Sequence, residues 1–179
     1  MMMMRVIDFL GRINNGVALV AGLSLLACVV LILVEIVVRQ LGMPLGGTDE
    51  ISGYVMAMTT SWGVAYALTE RAHVRIDMLR AKCVPAGRAM LDCVAILALA
   101  VTAIVVAWRG WSVLSKTLIT GAKANTALET PLWIPQLLWW SGWLWFAISA
   151  VLIAAASMML LFQRRYDAVN KIAGMRGEL

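Results

Sequence analysis

Few residues in this chain could carry chemistry, and their spacing narrows what that chemistry would be. The single histidine, His73, stands one helical turn from Asp77, and Arg71 stands one turn from Arg75. Such spacing lets a carboxylate fix an imidazole tautomer, and lets two guanidinium groups on one face hold a phosphate or a partner's helix end. A metal site would need further ligands, and none is near in sequence. One histidine excludes bis-histidine haem ligation within the chain. Cys28, Cys83 and Cys93 are scattered without a CxxC pair, which argues against a disulfide framework or a thiolate metal centre. They read as small apolar residues. Glu35 and Arg39 form another pair one turn apart, at the end of an apolar run, and a helix pair of this kind contributes only about 0.2–0.5 kcal/mol. It reads as an anchor rather than a proton-coupling carboxylate. No nucleophile–base arrangement and no phosphate-cradling loop occurs, so neither enzyme activity nor a cofactor or metal is expected.

The elements that must position these residues are membrane helices. Hydrophobic residues make up 62% of the chain and charged residues 14%, with a mean hydropathy of +0.86. A soluble domain of 179 residues could not hide that much apolar surface. The net charge of +5 does not point to nucleic acid, because the basic residues sit between apolar runs. Charge-free windows run over Ile13–Val34, Ile51–Thr69, Cys93–Trp108 and Thr130–Gln163. A helix needs roughly 20 residues to cross about 30 Å of hydrocarbon. The windows therefore predict an all-α, four-helix membrane bundle in a single domain covering 1–179, with spans at about 13–36, 51–69, 90–112 and 134–161. The loops fall at 40–50, 70–89 and 113–133. The first window is too long for a signal-peptide core and stays apolar beyond Cys28, so it reads as a retained anchor. Gly42, Pro44, Gly46 and Gly47 make the first loop a turn, and Thr48 or Asp49 is placed to cap the second helix.

Orientation follows from lysine and arginine. With four spans, 11 of these residues lie with the two termini and loop 70–89, and 4 lie on the opposite side. Both termini are then cytoplasmic, and loops 40–50 and 113–133 are periplasmic. In the second span Gly53, Ala57, Ser61, Ala65 and Thr69 recur every four residues, a stripe that lets another helix approach closely. That helix could belong to the same bundle or to a partner. Trp133, Trp139 and Trp140 open the fourth span as an interfacial belt.

Gly42-Met43-Pro44-Leu45-Gly46-Gly47-Thr48-Asp49-Glu50-Ile51, the apolar helix after it, and Ala72-His73-Val74-Arg75-Ile76-Asp77-Met78-Leu79 resemble the small membrane subunit of TRAP (tripartite ATP-independent periplasmic) transporters, the DctQ type. Thr130-Pro131-Leu132-Trp133-Ile134-Pro135-Gln136 is similar to that family's entry into its last helix. The resemblance implies a non-catalytic scaffold in the bacterial inner membrane. Its partners would be a large permease subunit, which carries a carboxylate-bearing solute and coupling ions, and a periplasmic solute-binding protein. It also implies that Asp49, Glu50, Gly53, His73, Arg75 and Asp77 contact partner or lipid. The competing reading is a self-sufficient four-helix exporter, which would set its carboxylate mid-helix; Glu35 sits near an end. A quinone-linked thiol oxidase would need paired periplasmic cysteines, and Cys83 and Cys93 fall on the cytoplasmic side.

Overall fold

The computed structural model describes residues 2–72 and 83–173, so His73, Arg75 and Asp77 lie outside the described residues. The described chain forms five helices: α1 (Met2–Gln40), α2 (Thr48–Thr69), α3 (Pro85–Thr120), α4 (Trp133–Phe162) and α5 (Tyr166–Ala173). Among the described residues, only an isolated antiparallel bridge between Lys123 and Pro131 is β-like. Among the described residues three helices are long and apolar enough to cross a membrane: α1 over Ile7–Gln40, α3 and α4. The chain is thus an all-helical membrane protein. Among the described residues α2, at 22 residues, is long enough but is not one of these three. Its serines, threonines, tyrosines and glycines dilute its apolar content.

The helices run further than charge-free windows suggest, because a single charge does not stop a helix. Pro85 sits in the first turn of α3, where its missing N–H costs nothing. The helix therefore begins inside the stretch 70–89 that the sequence assigns to a loop. At the other end α3 passes Arg109 and Lys116 and stops only at Gly121, whose left-handed φ of 61° lets its N–H return to the Thr117 carbonyl. The predicted loop 113–133 shrinks to 121–132. Three other helix ends share one device, in which paired backbone bonds reach back three and five residues around a left-handed residue. At the end of α1 that residue is Gly42, but at the ends of α2 and α4 it is Arg71 and Arg164. Non-glycine residues adopt this conformation rarely, so no glycine marks those stops.

The packing order is α1, α2, α4, α3, with α1 touching α4 only marginally and α2 making no close backbone approach to α3 among the described residues. The expected four-helix bundle is therefore an open row, with α1 and α3 on its flanks. The seam between α3 and α4 is close-packed. Ala89, Cys93, Ile96, Ala100, Ala103, Ala107, Gly110, Leu114 and Thr117 are all buried and alternate in steps of four and three along α3. That is the spacing of a coiled-coil seam, built from small residues as membrane helices require. After the turn at Arg164, α5 folds back against α3 and α4, burying Val169, Ile172 and Ala173. Val169 packs with Ala89 and Cys93.

Candidate functional site

Two loops meet at the end of the row where α2 begins. Gly46 and Gly47 both adopt left-handed backbone, at φ 70° and 76°. Gly47 is the N-cap of α2, and no side chain caps the helix. Neither Thr48 nor Asp49 takes the capping role, because the chain enters through this left-handed glycine. A Cβ on Gly47 would lie 2.5 Å from Cγ of Leu128, so the glycine is needed for loop 121–132 to rest on α2. About one turn later, Glu50 joins the same two elements. The Tyr54 hydroxyl donates to its Oε1 at 2.6 Å, and the Thr126 hydroxyl donates to its Oε2. These donors, Thr126 first and Tyr54 next, hold the Glu50 carboxyl below its usual range against the smaller cost of partial burial, with Thr130 and the Leu128 backbone adding to the effect. Asp49 is exposed; its backbone carbonyl accepts from the Ser52 hydroxyl. Glu35 does not pair with Arg39. It accepts from the Leu45 backbone N–H at 3.0 Å, tying the loop back to α1.

At the other end of α2, Asn14 of α1 is completely buried. Its amide donates to the Ala65 carbonyl at 3.0 Å and to the Thr69 hydroxyl at 3.3 Å. Its Oδ1 accepts from the Trp145 indole N–H at 2.7 Å. One side chain thus joins α1, α2 and α4. An asparagine inside a long apolar helix is the sequence signal for such a node, and a search for charges alone passes over it.

The small-residue stripe of α2 divides between two environments. Ser61 and Ala65 are buried and Thr69 is half-buried, whereas Gly53 and Ala57 are exposed. The lower half fits against α4: a Cβ on Gly142 would meet the Ser61 hydroxyl at 2.5 Å and the Ser61 backbone at 2.9 Å. A Cβ on Gly53 would meet nothing within 4 Å. The tryptophans of the predicted belt also divide. Trp133 is 41% exposed. Trp139 and Trp140 lie against Gly110 of α3, and the Trp140 N–H donates to the Ala107 carbonyl at 2.8 Å. Both are half-buried in that packing. Among the described residues no three potential metal ligands cluster.

The outer surface of α1 is uncovered. Its most apolar stretch has no buried residue. Leu19, Leu23, Leu26, Val30, Leu33 and Val37 are each more than half exposed. They also step by four and three, so they form a continuous ridge that none of the described residues covers. The family model for the DctQ component of tripartite ATP-independent periplasmic transporters matches residues 28–165. The match takes in the paired loops and the whole of α2, α3 and α4. No curated protein and no solved structure matches the chain.

Proposed function

We propose a function from one premise: the chain belongs to the DctQ component family of the tripartite ATP-independent periplasmic transporters. It is the small, non-catalytic subunit of a secondary transporter in a bacterial inner membrane that imports a carboxylate-bearing solute. All four long helices cross the bilayer, with both termini cytoplasmic. The excess of lysine and arginine on that side supports this orientation. The position of α2 between α1 and α4 supports its crossing, because its polar face is covered by protein rather than lipid. The subunit holds the large permease subunit through α1 and presents loops 41–47 and 121–132 to the periplasmic binding protein.

The observation that carries this reading is the bare ridge of α1. Lipid tails are as apolar as leucine, so such a surface gains nothing by turning inward; it is available to a partner helix with complementary shape. The paired loops support the docking role, since Glu50 and Leu128 hold them as one surface. Purified chain in liposomes is expected to show no saturable uptake of any organic acid. Uptake should require the large subunit and the binding protein together. Saturable uptake by the chain alone would contradict the reading.

A further inference from the structure

We propose that the cleft between α3 and α4 binds one anionic phospholipid, with an acyl chain along the cleft and the phosphate at Arg109. The cleft encloses about 520 Å³, within the roughly 300–1,000 Å³ usual for ligand sites. Ile104, Trp108 and Trp111 line it from α3, and Trp140, Ile148 and Leu152 from α4. From Trp140 to Leu152 it extends about 18 Å along the helix. A narrow apolar trough of that length suits a hydrocarbon chain better than a compact solute.

Its two ends differ. One end is aliphatic. The other carries three indoles, with Trp111 and Trp140 in contact at 5.1 Å between ring centroids. Trp140 is fixed there by its bond to Ala107. Trp108 is 68% exposed, and the Arg109 guanidinium lies 5.6 Å from its ring centroid. Among the described residues no carboxylate pairs with Arg109. Lys116, two turns further along α3, is also exposed. An apolar lining, an aromatic collar and a cation beside that collar complement the acyl chain, the interfacial region and the phosphate of a phospholipid. An anionic phospholipid supplies both parts of the match, an acyl chain for the trough and a phosphate for the guanidinium.

The test is thermal melting of the full chain in neutral detergent, titrated with phosphatidylglycerol or with diacylglycerol of the same acyl chains. Phosphatidylglycerol should raise the melting temperature saturably and diacylglycerol should do so only at higher concentration. Arg109→Gln should bind phosphatidylglycerol about fivefold more weakly and leave diacylglycerol unchanged. Ile148→Trp should fill the cleft and abolish both responses without altering the lipid-free melting. If that variant melts low without lipid, Val151→Trp at the rim of the same cleft carries the same expectation. Equal responses to the two lipids in the wild type would overturn the proposal, as would full phosphatidylglycerol affinity in Arg109→Gln. Cross-linking of the Ile148→Cys variant to the large subunit would also overturn it, by giving the cleft to protein.

Discussion

The two flanking helices, α1 and α3, are nearly equal in length and both apolar enough to span a membrane, yet they are covered to different degrees: a third of the most apolar stretch of α3 is buried and none of that of α1. α3 presents alanine, glycine and cysteine to α4 at alternating steps of four and three, so the two backbones approach closely over the whole helix. α1 keeps leucine and valine on its outer face, while its inner face, where Ala18, Ala21, Ser24 and Cys28 are half-buried, lies along α2. Directional bonds add to that attachment: Asn14 at one end and Glu35 at the other. Small side chains therefore build the subunit's own core, while large ones leave a surface for something else. α2 departs from that rule, since Ser61 and Ala65 are buried while Gly53 and Ala57, equally small and in the same register, are exposed.

The contrast can be broken most strongly at the α3 seam. Ala103 is completely buried there, and Ala103→Leu should destabilise the isolated subunit by about 1–3 kcal/mol, read as a lower melting temperature. Gly142→Ala should act in the same direction, since its Cβ would meet the Ser61 backbone. A melting temperature equal to wild type in both variants would remove the close-packed core from the account. Asn14→Ala comes next. It leaves the Trp145 N–H and the Ala65 carbonyl without their partner, and buried bonds of this kind in membranes contribute about 0.6 kcal/mol and up to about 1.7 kcal/mol. The loss should appear as separation of α1 from α2, measured by spin-label distances, with little change in the α3–α4 distance.

Acid should loosen the paired loops. Because the Glu50 carboxyl is held below its usual range in the folded state, its contribution is complete above the ordinary carboxylate pKa of about 4.3. It is lost as pH falls through the lowered folded value. Spin labels at Met43 and Ala127 should move apart in that acid window. Glu50→Gln should show part of the separation already at neutral pH and lose the acid transition. The smallest effect is expected at Gly53→Ala, where a methyl meets open space and alanine is the better helix former. Melting should be unchanged or slightly raised.

Much of this was legible in advance because membrane helices announce themselves by apolar runs. The four long helices and the short α1–α2 turn follow from charge-free windows and from Gly42, Pro44, Gly46 and Gly47. The α3 seam was equally available, since Ala89, Cys93, Ile96, Ala100, Ala103, Ala107 and Gly110 keep their spacing in sequence, but a search for four-residue stripes finds α2 and misses the alternating pattern. α5 was visible only as Tyr166, Val169 and Ile172 at helical spacing within a polar stretch. The open row was not legible at all. Which faces of α2 and α4 meet depends on the fit of Gly142 to Ser61, and pairing of that kind leaves no periodic trace. The Glu50 site was half legible: the residue stands out at the start of α2, but Thr126 lies 76 positions away.

The claim at the centre of this account is that α1 holds the large permease subunit through its bare ridge. Photo-cross-linking residues at Leu23, Leu26 and Val30 test it most directly in cells that also produce the large subunit, with Val101 and Val105 on the outer side of α3 for comparison. The account predicts adducts with the large subunit from the three α1 positions and only lipid adducts from the two on α3. Lipid adducts alone from α1, with large-subunit adducts from Val101 or Val105, would contradict it.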